Sequence, residues 1–177
     1  MQVLIEGVAL AAFGLIRDYA RNPLSNSVTA YVMQDESRHV AFGRLALRDY
    51  YPQLTDKERD EREEFVVEGC YLLRDRFLAD EVWECLGLPV AECKEWVDHS
   101  ELMRVYRTSL FSRIVPTIRD IGLWGPRIRK AYADMGILGF AEGDVEGMGL
   151  RDEVVAKELD ARLAEITRTA EAAVATA

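Results

Sequence analysis

Apolar residues along this chain recur at intervals of three and four, and no alternating β-branched run flanked by hairpin turns interrupts them. The periodicity therefore predicts helices throughout and no strands. The first segment, residues 2 to 21, is apolar on nearly every face (Val3, Leu4, Ile5, Val8, Leu10, Phe13, Leu15, Ile16) and is halted by Asn22-Pro23. A helix of that kind belongs at the centre of a bundle. Residues 22 to 26 offer several N-cap side chains, and a second helix is expected over 27 to 50, stopping before Pro52 and forming an antiparallel hairpin with the first. Thr55 with Glu58 is a capping-box pattern that opens a long third helix reaching residue 86, before Gly87 and Pro89. A short helix over 90 to 97 follows. Asp98 with Glu101 then starts a fourth long helix ending near Ile121-Gly122, and Pro126 and Gly136 bound a fifth, short one. Gly139, Gly143, Gly147 and Gly149 mark 139 to 150 as a glycine-rich linker, and 151 to 177, rich in Ala, Glu and Arg, reads as a peripheral C-terminal helix frayed at its end.

Composition narrows the function classes. The chain has 177 residues, 49% hydrophobic and 30% charged, which suits one domain with a sizeable core over 1 to 138. Its 22 Lys and Arg against 31 Asp and Glu leave a net charge of −9, so there is no basic stripe to replace counterions on a phosphate backbone and nucleic acid is not an expected ligand. Residues 7 to 16, the longest uncharged stretch near the N-terminus, fall well short of the roughly 20 that a bilayer span needs, so no membrane is expected. Neither a basic leader region nor a small-residue cleavage site is present, and no signal peptide is read. Cys70, Cys85 and Cys93 are odd in number and lack C-x-x-C spacing, which points to a reducing, cytoplasmic setting.

The candidate chemistry lies in the first two helices. Glu6 is set in an apolar run, and a buried carboxylate costs several kcal/mol unless a cation or hydrogen bonds compensate it. Thirty positions later the second helix carries Asp35-Glu36-Ser37-Arg38-His39, so Glu36 and His39 stand one turn apart on one face as Glu-x-x-His. Glu6 lies about 17 residues before the turn at Pro23 and Glu36 to His39 about 12 to 15 after it, similar heights at about 1.5 Å per residue. Gly7 and Ala9 are expected to leave room beside Glu6. Carboxylates with one imidazole per metal suit iron or manganese with open positions for dioxygen. Four-helix carboxylate proteins hold two metals with one Glu from each of two helices and a Glu-x-x-His from each of the other two. This chain supplies half of that set.

The stretch Asp35 to Gly43 (DESRHVAFG), with Glu6 on the preceding helix, resembles the second half of a ferritin-like di-iron protein. The nearest types are the di-iron N-oxygenases of the p-aminobenzoate oxygenase kind and the small subunits of ribonucleotide reductase. The resemblance is specific over residues 3 to 45 and architectural beyond them. It implies an all-α, ferritin-like helical bundle, incomplete at the N-terminus and with extra C-terminal helices. It makes Glu6 a bridging or terminal carboxylate, Glu36 a bridging carboxylate and His39 the nitrogen ligand of one iron. Asp35 matches the acidic residue that orients a histidine from outside the ligand set. Two iron ions, or manganese with iron, would be the cofactors and dioxygen the co-substrate. Two departures stand out. The upstream Glu and first Glu-x-x-His are absent, and the extra histidine of the N-oxygenase type is Val32 here, so no amine substrate is implied.

Residue 1 already lies inside the apolar pattern. Either preceding helices belong to a longer parent, which the long C-terminal half favours, or two copies pair as a homodimer, each giving Glu6, Glu36 and His39. Three functions follow from different classes. The first is an oxidoreductase that oxidises a small organic substrate with electrons from a separate reductase. The second is a ferroxidase or iron-storage protein with a dimer-shared site. The third is a metal-free helical interaction domain in which Arg17 and Arg38 neutralise Glu6 and Glu36. Tyr31 is a candidate redox phenol, and also an ordinary core residue. His99, beside Asp98 and one turn after Glu95, reads as a surface residue. Glu61, Glu63 and Glu64 read as a solvated face, with Glu68 the one that turns inward. Cys70 and Cys85 read as small buried residues, and Trp83, Trp96 and Trp124 as helix-packing positions.

Overall fold

The computed structural model describes residues 2–175, and every regular element among them is helical. Helix α1 (Gln2–Tyr19) and helix α2 (Pro23–Tyr50) form the expected hairpin. Asn22 caps α2 by accepting a hydrogen bond from the Leu24 N–H, with Pro23 in the first turn, where its missing N–H costs nothing. Helix α3 (Asp56–Arg76) opens on the predicted capping box: the Glu58 N–H donates to Thr55 Oγ1, and the Thr55 N–H donates to the Glu58 carboxylate.

Two long helices expected from the pattern are broken. The third ends at Arg76 rather than residue 86, because Ala79 adopts a left-handed conformation (φ 58°) and helix α4 (Asp80–Cys85) restarts from it. No Gly or Pro signals this break. The carbonyl of Leu78 is recovered by the Trp83 indole N–H at 2.7 Å, which offsets part of the roughly 1–2 kcal/mol that a left-handed alanine costs. The fourth is split into α6 (Glu101–Ser109) and α7 (Ile114–Asp120), joined by one short 3-10 turn. Pro116 is the cause: it has no N–H for the Ser112 carbonyl, and its ring excludes that carbonyl from a continuous helix. The start of α6 is capped by Ser100, not Asp98, since α5 (Val90–His99) runs through Asp98 and the Asp98 carboxylate instead holds Arg107 at 2.7 Å.

Helix α8 (Pro126–Asp134) starts and stops where Pro126 and Gly136 (φ 70°) predict. The glycine-rich stretch is not a linker in conformation: Leu138–Glu142 is a 3-10 helix, and α9 (Val145–Ala175) begins six residues earlier than expected. The Gly147 N–H donates to Asp144, which acts as the helix cap, and the Asp144 carboxylate occupies the place a Gly147 Cβ would need. Glycine costs about 1 kcal/mol in a helix, a cost offset here by packing on α2 and by ion pairs. Asp152, only 4% exposed, accepts a hydrogen bond from Arg17 at 3.1 Å and forms an ion pair with Arg113 at 2.8 Å, and Glu146 meets Arg44 at 3.3 Å. The second half of α9 runs out exposed to residue 174. The last two residues of the expected terminal helix lie outside the described residues.

The main core gathers Val3 and Leu4 of α1, Val66 and Cys70 of α3, Ile114, Val115 and Ile118 of α7, and Ile128 and Tyr132 of α8. A smaller cluster of Leu10, Met33 and Val40 seals α1 against α2. Gly7 serves the first of these, not the space beside Glu6. Its missing Cβ would stand 2.9 Å from Ile114 Cγ1, so glycine lets α1 cross α7 closely. Of the cysteines, Cys70 is buried, whereas Cys85 is exposed and not the buried residue expected. Trp96 is also exposed rather than packed. No described helix is long and apolar enough to cross a membrane.

Candidate metal centre

Helix heights read from residue counts place Glu6 opposite Glu36 and His39, and the side chains do converge. His39 Nδ1 lies 3.9 Å from Glu6 Oε1 and 3.6 Å from Glu36 Oε2. One ligand atom from each of the three residues falls within 4.8 Å of the others. Donors about 2.1 Å from a shared divalent ion stand about 3 to 4.2 Å apart, from right-angle to opposite positions. The observed spacing therefore fits a common ion after small side-chain adjustments. Neither carboxylate is within hydrogen-bonding distance of the imidazole, so the group is not held together by direct hydrogen bonds to His39.

Burial is graded across the three. The Glu6 side chain is 21% exposed, Glu36 27% and His39 56%. Glu6 Oε2 is the significant atom: it is shielded from solvent and has no hydrogen-bond partner among the described residues. An acceptor in that state costs about 1–3 kcal/mol, and a cation is the partner a carboxylate accepts best.

The arginines expected to neutralise these carboxylates are engaged elsewhere. Arg38 pairs with Asp35 at 2.8 Å, while Arg17 pairs with Asp18 at 2.8 Å and with Asp152 at 3.1 Å. The internal ion-pair network that would explain the cluster without a metal is therefore not formed by Arg17 or Arg38. Asp35 is exposed, and its described partner is Arg38 rather than His39. The Tyr31 hydroxyl donates to Asp160 of α9, a hydrogen bond that raises its pKa, so the phenol is directed to α9. His99 is exposed at the end of α5, its Nδ1 2.8 Å from the Glu95 carbonyl, as a surface position should be.

One buried carboxylate was hidden in an acidic run. Glu68 is exposed, and Glu63 instead turns inward, accepting the Gly125 N–H at 2.6 Å at the start of α8. Its spacing to Val66 and Cys70 on one face of α3 was the available signal. There the carboxylate satisfies an otherwise free helix N–H and meets the positive end of the helix dipole. Beside it, burial pushes the Cys70 thiol up to about 11, against a smaller opposing effect from its Tyr132 contact. Burial also pushes the Tyr132 phenol far above its ordinary value. This group is structural: each member is enclosed by the core.

No protein-family model, no curated protein and no solved structure matches the chain.

Proposed function

We propose that Glu6, Glu36 and His39 form one half of a di-metal carboxylate centre in a ferritin-like bundle, and that the assembled protein is an oxidoreductase. The observation that carries this reading is the convergence of two carboxylates and an imidazole, with ligand atoms within 4.8 Å of one another, at a Glu6 whose shielded Oε2 has no hydrogen-bond partner among the described residues. Oxygen donors with one nitrogen per metal select iron or manganese over softer ions. When bound, a reduced iron pair supplies dioxygen activation for oxidising a small organic substrate, with electrons from a separate reductase. The chain's own part is positional. Glu6 holds its carboxylate at fixed height on α1 because the Leu10–Met33–Val40 cluster locks α1 to α2. Glu36 and His39 share one α2 face and approach the ion from the opposite helix.

The test is elemental analysis of the chain reconstituted anaerobically with ferrous iron, beside His39→Ala and Glu36→Gln, followed by dioxygen uptake. The expected result is about one iron per chain, lost in both variants, with dioxygen consumed only by the loaded wild type. Iron uptake without any organic oxidation would move the reading to a ferroxidase. A folded protein that takes up no iron would overturn the reading and leave Glu6, Glu36 and His39 a metal-free group.

A further inference from the structure

A cavity of about 420 Å³ lies between α2, the start of α7 and the first turns of α9, within the roughly 300–1,000 Å³ of ordinary small-molecule sites. It is separate from the metal centre. On α2 its lining residues Ser37, Ala41 and Arg44 stand about 80–140° round the helix from Glu36 and about 140–160° from His39, with Val40 between the two faces. From α9 the cavity is faced by Val145, Gly149 and Asp152, at steps of four and three, so Gly149 is at mid-face. Gly149 is not in the left-handed region, and a Cβ built on it would meet no heavy atom within 4 Å. Neither backbone conformation nor close packing therefore calls for a glycine there, although glycine weakens a helix. What its missing side chain does is leave the cavity open.

The charges of the wall select the ligand. Arg44, Arg113 and Asp152 are the enclosed ones, while Arg38, Glu146 and Glu153, which also line the cavity, are exposed. Asp152 is already shared between Arg113 at 2.8 Å and Arg17 at 3.1 Å, so positive charge is in excess at depth. Arg44, its side chain 10% exposed, is loosely held: its Nη1 is 3.2 Å from Asp120 and its Nη2 3.3 Å from Glu146, against about 2.7–2.9 Å for a good charge-assisted bond. Its Nε is shielded and has no partner among the described residues, as is Ser37 Oγ. A guanidinium Nε can only donate, so the missing partner is an acceptor. We propose that this cavity binds a small organic anion with an apolar body, in its simplest form a monocarboxylate of about eight carbons. The carboxylate takes the Nε and Nη2 fork of Arg44, releasing the exposed Glu146 to solvent, and the apolar body lies against Leu10, Val40, Val145 and Met148. The site stands on this geometry alone and does not require the metal.

Isothermal titration calorimetry of the metal-free chain with octanoate, octan-1-ol and octylammonium tests this, with circular dichroism to confirm that each variant is folded. Wild type is expected to bind one octanoate with a Kd of about 1 mM or tighter, as a ligand of about ten non-hydrogen atoms allows, and to bind the alcohol and the amine at least tenfold more weakly. Gly149→Leu fills the cavity from mid-face with a better helix former, so it is expected to stay folded and to bind octanoate at least tenfold more weakly. Arg44→Gln should weaken octanoate to the level of octan-1-ol, and Glu146→Gln should bind it at least as tightly as wild type. Wild type that takes up no octanoate at ten times that concentration overturns the proposal. So does a folded Gly149→Leu protein with unchanged affinity, which puts the ligand elsewhere. Octan-1-ol or octylammonium bound as tightly as octanoate overturns the anion, and loss of octanoate binding in Glu146→Gln overturns the exchange at Arg44.

Discussion

Replacing Glu6 by methionine separates a structural carboxylate from one kept for binding. Methionine has nearly the same length and helix propensity as glutamate, so the change removes the charge and the orphaned oxygen while keeping the volume. The shielded Glu6 Oε2 has no hydrogen-bond partner, and the nearest described group of opposite potential charge is His39, 3.9 Å from Oε1. An unsatisfied acceptor costs about 1–3 kcal/mol. With the side chain 21% exposed, the lower end applies, and Glu6→Met should stabilise the metal-free protein by about 1 kcal/mol. For a chain of this size that raises the Tm by about 2–4 °C. With metal the order reverses: ligand at 100 times its Kd stabilises the folded state by about 2.7 kcal/mol, a gain the variant cannot have. Urea denaturation followed by circular dichroism, at one protein concentration with EDTA or Mn²⁺, measures both arms. A Glu6→Met protein less stable than wild type in EDTA would show that Glu6 holds the fold together. Equal stabilisation of both proteins by Mn²⁺ would place the ion elsewhere.

Other elements give equally direct expectations. Asp152→Ala leaves Arg113 without its 2.8 Å partner and Arg17 with Asp18 alone, so it should destabilise by about 2–4 kcal/mol in urea melts, and Asp152→Asn by less. Gly125→Ala forces a Cβ onto the Glu63 carboxylate, within 2.8 Å of its carbon, and should cost about 1–3 kcal/mol by the same assay. The Cys70 thiol is held protonated up to about 11 against an ordinary 9.0. Above pH 9 the unfolded chain therefore releases a proton that the folded chain keeps, and stability should fall between pH 9 and 11. Cys70→Ala should flatten that slope, and at pH 8 iodoacetamide should label exposed Cys85 well before Cys70.

The parts of this protein legible in the sequence are those fixed by local rules. The α1–α2 hairpin, the Thr55 capping box and the bounds of α8 follow from Pro, Asn, Thr and Gly at positions with one physical use. The convergence of Glu6 with Glu36 and His39 follows from counting rise per residue on two helices joined by a short turn. The errors arose where tertiary contacts outweighed local preference. Ala79 is left-handed without a glycine, at a break where the Trp83 indole recovers the Leu78 carbonyl, and α9 continues through Gly147 and Gly149 because Asp152 and Glu146 anchor it to Arg17, Arg113 and Arg44. Pro116 breaks the helix by a local rule, inside a stretch whose apolar spacing otherwise continues from α6 into α7. Glu63 was hidden by three acidic neighbours, although only its position faces Val66 and Cys70.

The ligand assignment is tested most directly by anomalous diffraction from crystals grown with Mn²⁺. The account predicts a peak about 2.0–2.3 Å from a carboxylate oxygen of Glu6, one of Glu36 and a ring nitrogen of His39. A fully occupied peak bound to other carboxylates, with Glu6, Glu36 and His39 unchanged, would contradict it.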